Sequence, residues 1–223
     1  MKFLVTSDLH LPTYYREFYE SLNKINEKID FIILCGDIID NKEYIYIKKL
    51  YYLLNSKFGN IKIFSTFGNN EASFLLNGEK DKEFYRKEYN FINWLDYEYY
   101  DLGEYYLLGF EGFPERAWKM VNIENIKEYY SKKLENIFNS LNKKIIIFSH
   151  YSLSRDTVFG DPAPEWSLYS KYIENLIKKY SNKIIYGFHG HAHYSKNYKT
   201  KINDTEIYNV AFPIHKKPLI FEI

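Results

Sequence analysis

Three of the six histidines in this 223-residue chain fall within five positions, in Gly187-Phe188-His189-Gly190-His191-Ala192-His193. Imidazole is the commonest protein metal ligand, and two at i, i+2 around a small residue can reach one metal from a single turn. Alone, such a stretch also fits an exposed histidine-rich loop. Four further stretches bring donors of the same kind: Asp8-Leu9-His10, Gly36-Asp37 with Asp40 three residues on, Gly68-Asn69-Asn70-Glu71, and Ser149-His150. Singly, an Asp in such a place reads as a turn or helix cap and His150 as a satisfied structural histidine. Five donor-bearing stretches that each follow an apolar run are not explained by caps.

The elements behind these tips follow from periodicity. Lys2 to Ser7 reads as a strand, Tyr15 to Ile29 as a helix, and Phe31 to Cys35 as a strand buried on both faces. Glu43 to Phe58 has helical spacing, with Tyr46, Leu50, Leu53 and Leu54 on one stripe, and Ile61 to Phe67 is a third strand. This βαβαβ order predicts a largely parallel sheet with helices packed on it. A helix is expected from Glu79 to about Leu95, then antiparallel strands at Tyr97–Tyr100 and Tyr105–Phe110. Asn122 to Leu141 is helical with Asn122 as cap, and Lys144 to Phe148 is a buried strand. After a long loop, Tyr151 to Trp166, come a helix from Leu168 to Tyr180 and short strands at Asn197–Ile202, Glu206–Ala211 and Leu219–Ile223. With no repeat or linker, residues 1–223 read as one domain.

In open α/β sheets ligands bind beyond the carboxyl ends of the strands, so the polar tips should converge in one crevice. Gly36, Gly68 and Gly190 permit crowding there. The donors are two carboxylates (Asp8, Asp37), one amide oxygen (Asn69) and four imidazoles (His10, His150, His191, His193). Seven exceed one tetrahedral zinc and suit two adjacent divalent ions. Mixed nitrogen and oxygen ligation without thiolate fits Mn, Fe, Zn, Ni or Co, with manganese placed first, and disfavours calcium or magnesium alone.

The five motifs, in this order over residues 8 to 193, resemble those of the calcineurin-like metallophosphoesterase superfamily: D-x-H, G-D-x-x-D, G-N-H-D/E, a lone H and G-H-x-H. The resemblance implies a four-layer α/β/β/α sandwich with two mixed β-sheets. It implies that Asp8, His10 and His193 hold one metal, that Asp37 bridges, and that Asn69, His150 and His191 complete the second, with Asp40 supporting the geometry. The family's histidine, which contacts phosphate and protonates the leaving oxygen, is replaced by Asn70, whose amide can donate a hydrogen bond but not a proton. The implied activity is phosphate-ester hydrolysis by a hydroxide bridging two divalent metals. A phosphodiesterase acting on a nucleotide or other small diester is favoured. A phosphomonoesterase or pyrophosphatase is the alternative, and a non-catalytic metal-binding scaffold of the same fold is the third reading.

His189 is a substrate contact or a structural histidine at a strand end, and His215 an exposed residue or a substitute acid. Arg155, Asp156, Arg116 and Trp118 are loop residues that could line a pocket. Thirty Lys+Arg against 29 Asp+Glu leave a formal charge of +1, so no basic field exists to capture long nucleic acid. The 20% aromatic content, from 24 Tyr and 17 Phe above all, reads as compositional habit. Cys35 alone forms no disulfide framework within a chain and no thiolate zinc site. The N-terminal apolar run is too short for a signal peptide, and no window is long enough to span a membrane, so a cytoplasmic protein is expected. No feature fixes an oligomeric state.

Overall fold

Period-two alternation within the apolar runs sends successive side chains to opposite faces, and both faces are covered. In β1 (Lys2–Thr6), Phe3 and Val5 point to one side and Leu4 to the other, all fully buried. β2 (Phe31–Leu34) repeats this with Phe31 and Ile33 against Ile32 and Leu34. The computed structural model describes residues 1–40, 43–72, 79–115 and 123–223.

Among these, two mixed sheets form. The first has the order β11-β1-β2-β3-β4, with β3 at Lys62–Ser65, β4 at Asn93–Trp94 and β11 at Leu219–Glu222. Only β11 runs antiparallel. The second has the order β5-β6-β7-β8-β10-β9, from β5 (Glu98–Asp101), β6 (Tyr105–Phe110), β7 (Lys144–Ser149), β8 (Ile184–His189), β9 (Lys199–Ile202) and β10 (Thr205–Asn209). Its two edge strands are antiparallel to their neighbours and the four inner strands are parallel.

The sheets pack face to face through Phe3, Val5, Ile33 and Phe64 on one side and Leu107, Ile146, Phe148 and Phe188 on the other. Helices α1 (Tyr15–Asn23) and α2 (Ile45–Phe58) cover the outside of the first sheet, through Phe18, Leu22, Ile47, Leu50 and Leu54. The short α3 (Asn69–Ala72) and then α4 (Glu79–Glu88) follow β3. Helix α5 (Ile123–Ser140), the single turn α6 (Glu165–Leu168) and α7 (Lys171–Tyr180) precede the last turn, α8 (Phe212–His215). Leu134 and Phe138 of α5 and Ile173, Ile177 and Tyr180 of α7 close the outside of the second sheet. The architecture is the expected α/β/β/α sandwich.

Local boundaries depart from the sequence reading for identifiable reasons. Helix α1 stops at Asn23, where the Lys24 and Ile25 N–H groups take the Ser21 and Leu22 carbonyls three residues back, and Ile25 and Ile29 enter the core from the following loop. On α2 the fully buried stripe is Ile47, Leu50 and Leu54, while Tyr46 and Leu53 are only partly covered. Helix α4 ends at Glu88, because Trp94 is claimed by β4 and stacks on Phe67 at 4.8 Å. The helix expected from Leu168 begins at Lys171, after an extended Tyr169-Ser170 break. Asn122, read as a cap, and the loop residues Arg116 and Trp118 lie outside the described residues.

Phe188 sits at the centre of the inter-sheet layer, fully buried among Phe3, Tyr186, Tyr208 and Phe221. Phe188→Ala is expected to cost about 3–5 kcal/mol of stability, read as a lowered midpoint in urea unfolding followed by circular dichroism.

Candidate metal centre

The tips of β1 and β2 are laced together by their backbones: the Asp8 and His10 N–H groups donate to the Gly36 and Asp37 carbonyls, both at 3.1 Å. This lacing holds non-glycine residues in the left-handed region, at φ 55° for Asp8, 41° for His10 and 47° for Asp37, with His191 at 67° on the facing turn. Each such residue costs on the order of 1–3 kcal/mol, and such strain gathers at functional sites. Two glycines are required by contact. A Cβ on Gly68 would lie 2.1 Å from Asp37 Oδ1, and one on Gly190 2.2 Å from Asp8 Oδ2.

On one side, Asp8, His10 and His193 each offer a donor atom within 4.8 Å of the others. His10 Nδ1 donates to Asp40 Oδ1 at 2.9 Å, which leaves the Nε2 lone pair facing His193 Nε2 at 3.3 Å. Asp40 is itself held by the Thr13 hydroxyl. His193 Nε2 lies 3.0 Å from Asp8 Oδ1, and both Asp8 oxygens accept the His191 backbone N–H.

On the other side, His150 Nδ1 donates to the Cys35 carbonyl at 3.1 Å, and His191 Nε2 donates to the Ser167 carbonyl at 3.2 Å. Ser167 lies in the single turn α6 (Glu165–Leu168), too short for a helical partner to take its carbonyl. With those protons committed, His150 Nε2 and His191 Nδ1 are lone pairs facing each other at 3.1 Å, and the Asn69 Oδ1 acceptor stands 2.9 Å from His150 Nε2. Asp37 lies between the two sides. Its Oδ1 is 3.7 Å from His150 Nε2 and its Oδ2 is 3.8 Å from His10 Nε2.

Acceptor atoms crowded without protons between them repel, and divalent cations relieve that repulsion, so this donor set fits the metals the family implies. The charges point the same way. Burial and the negative charge of Asp8 push the Asp37 carboxyl up, while for Asp8 burial is outweighed by the hydrogen bond and charge of His193, which hold it well below the carboxylate range. Among the described residues no lysine or arginine pairs with either acid. Burial pushes His191 down to about 3 and also lowers His150, keeping both neutral as ligation requires. His193 moves the other way, because Asp8 outweighs its burial.

Glu71 supports the site without being one of the seven donors. Almost fully buried, it accepts four backbone N–H groups: Asp37 and Gly68 at 2.8 Å on Oε2, and Ile38 at 2.6 Å and Ile39 at 3.1 Å on Oε1. It thereby fixes the loop that carries Asp37, although burial and the Asp37 charge push its own carboxyl up. The sequence signal was an acid two residues after Asn69 in a tight glycine turn, whose backbone donors need an acceptor. Asn70 points back into the cluster. Its N–H donates to Asp37 Oδ1 and its side-chain amide to Asp37 Oδ2, both at 2.9 Å.

Several other expectations separate here. His189 is fully buried, 2.7 Å from the Thr157 hydroxyl and 3.1 Å from that of Ser152, and burial lowers it to about 4. It ties the loop after β7 to β8. His215 is half-buried rather than exposed and donates to the Asn209 carbonyl. Arg155 pairs with Glu165 at the surface, and Asp156 accepts from Thr200.

Two facing clusters of imidazoles and carboxylates at the strand ends of a four-layer sandwich define a metal-dependent phosphoester hydrolase. The family described as calcineurin-like phosphoesterase matches residues 1–195, and the chain belongs to it. Solved structures agree on the fold. One superposes with a TM-score of 0.67 at 15% identity, covering 99% of this chain and 98% of that one. The phosphopantetheinyl hydrolase of Mycobacterium tuberculosis gives 0.65 at 12% identity over 94% and 88%. A dimetal phosphatase from Danio rerio gives 0.56 at 10% identity over 94% and 86%. No curated protein matches the chain.

Because Asp40 sets the orientation of His10, Asp40→Ala is expected to weaken Mn²⁺ binding by about 10–100-fold in isothermal titration calorimetry. In the unaltered protein, Mn²⁺ at about 100 times its dissociation constant should add about 2.7 kcal/mol to the unfolding free energy, and a chelator should remove it.

Proposed function

We propose that this chain hydrolyses phosphodiesters of small organic alcohols, nucleotides among them, with the whole of residues 1–223 acting as one catalytic unit. Two divalent cations, manganese first, held by Asp8, His10, Asp37, Asn69, His150, His191 and His193, would supply Lewis acidity and bring the pKa of a water at the centre to near neutrality. The chain's own part is placement. Asp40 and the Cys35 and Ser167 carbonyls aim three imidazoles, and Glu71 and Asn70 hold Asp37 from behind and from the open side.

Asn70 carries the choice of substrate. Its backbone N–H and its side-chain amide each donate to Asp37, and an amide has no proton to transfer at neutral pH. The leaving oxygen therefore departs without a proton from this position, which favours diesters with activated or strained leaving groups over simple alkyl monoesters. The same observation supports a second reading, hydrolysis of a phosphoric anhydride, whose phosphate leaving group also needs no proton.

Further features support the setting. A formal charge of +1 argues against long nucleic acid, and among the described residues no helix is long and apolar enough to cross a membrane. The lone, buried Cys35 suits a reducing, cytoplasmic compartment.

With Mn²⁺ present, purified protein should cleave bis-p-nitrophenyl phosphate faster than p-nitrophenyl phosphate, and a chelator should abolish both. The reverse preference would move the assignment to a monoesterase, and inertness with every divalent ion would leave a scaffold. Asn70→His restores a transferable proton. Turnover of diesters with poor leaving groups should rise by about tenfold or more, toward the 10²–10⁴ typical of general-acid assistance, with less change for p-nitrophenyl leaving groups.

A further inference from the structure

Among the described residues the two sheets have four edge strands, and three of them are guarded against further pairing. β4 is two residues long, β5 carries Glu98 and Asp101, and β9 carries Lys199 and Lys201. Short strands and charged side chains discourage another strand from adding there. β11 differs. It forms the remaining edge as Leu219-Ile220-Phe221-Glu222, with a single charge at its end. Its three apolar side chains pack against the core but are only partly buried.

Backbone bonding tells which groups face outward. The Ile223 N–H donates to the Met1 carbonyl at 3.0 Å, and the Met1 ammonium donates to the Ile223 carbonyl. In an antiparallel pair such two-way bonding recurs at every second residue, so Phe221 and Leu219 bond to Phe3 and Val5 of β1. Ile220 and Glu222 therefore turn their N–H and C=O groups away from β1, to the side where the sheet order ends.

Beside this edge lies a groove of about 590 Å³, lined by Lys24, Ile25, Glu27, Lys216, Lys217 and Pro218 together with β11. Three lysines against one glutamate give it a formal charge of +2. Ile220 packs toward the α1 face of the sheet, and Glu222, two residues on, shares that face. The Glu222 side chain is 72% exposed, and its ion pair with Lys2 is long, at 4.0 Å.

We infer that β11 pairs with β11 of a second copy of this chain, joining two five-stranded sheets into one of ten strands. A twofold axis normal to the sheet makes identical strands antiparallel and keeps each face on its own side. With Ile220 opposite itself, its outward groups bond their own counterparts, and the Glu222 N–H meets the Pro218 carbonyl, which proline still offers. The same register brings each exposed Glu222 to the Lys216-Lys217 entry of the other strand, acid against basic groove. This complementarity favours a second copy over an unrelated strand. Leu219 lies opposite Val5 and Glu222 opposite Lys2, so the contact leads away from the strand ends that carry Asp8 and Asp37. Both metal centres stay open, and the inference does not depend on the phosphodiester reading.

The test is sedimentation velocity of the full chain over about 1–200 µM, with hydrogen exchange followed at both extremes. A species of twice the single-chain mass should form as concentration rises, and the Ile220 and Glu222 amides should exchange more slowly in it. Glu222→Lys sets lysine against lysine and should weaken the dimer by about tenfold or more. Glu222→Pro removes an outward N–H without touching the β1 ladder and should leave a monomer. Both changes are at an exposed side chain, and thermal melting checks that the variants fold. A dimer that both variants leave intact, or protection confined to other strands, would overturn the inference. So would a monomer at every concentration, which would leave this edge to a strand of a different protein.

Discussion

Mutual repulsion among buried acceptors governs this structure. Asn69 Oδ1, His150 Nε2 and His191 Nδ1 stand 2.9–3.1 Å apart as neighbours, with carboxylate oxygens close by and no cationic side chain among the described residues to separate them. Left to itself such a cluster would disperse or take up protons. It is held by bonds made on the far atom of each side chain: Asp40 for His10, the Cys35 carbonyl for His150 and the Ser167 carbonyl for His191. Divalent cations at the near atoms would turn that repulsion into ligation.

The cost of assembling the cluster shows in the backbone around it. Asp8, His10, Asp37 and His191 all adopt positive φ, and Gly68 and Gly190 leave room that carboxylate oxygens fill. What offsets that strain is a set of long-range hydrogen bonds, most of all the four that converge on Glu71. The two sheets matter here as rigid backing. Phe148 and Phe188, one residue or more before the polar tips of β7 and β8, lock those strands into the shared core. A site in which small displacements matter is thus carried on the least deformable layer of the molecule.

Asn70 ties structure to chemistry. By donating twice to Asp37 it adds order to the carboxylate between the two clusters, yet it offers no proton to a departing group. On the proposed reading, selectivity then depends on how easily the leaving group departs. The loops after β7 and β8 bear on the same histidines: the Ser167 carbonyl receives His191, and Asp161 accepts the N–H of Tyr194 next to His193.

Much of this was legible in the chain. Alternation of Phe3, Leu4 and Val5, and the unbroken runs before Asp37 and His150, depend only on neighbours in sequence, and they specified doubly covered strands with donors at their ends. Boundaries were less legible: β4 exists because Trp94 finds Phe67, and α7 starts late because Tyr169-Ser170 is extended, both matters of packing at a distance. Glu71 read as one more acid of a motif, since its four backbone partners come together only after folding. The sequence by itself determined which donors exist and which strand end each occupies, because those are local properties. Only the tertiary structure decided which atom of each donor faces the others, because that choice is made by contacts such as Asp8 with His193, 185 residues apart.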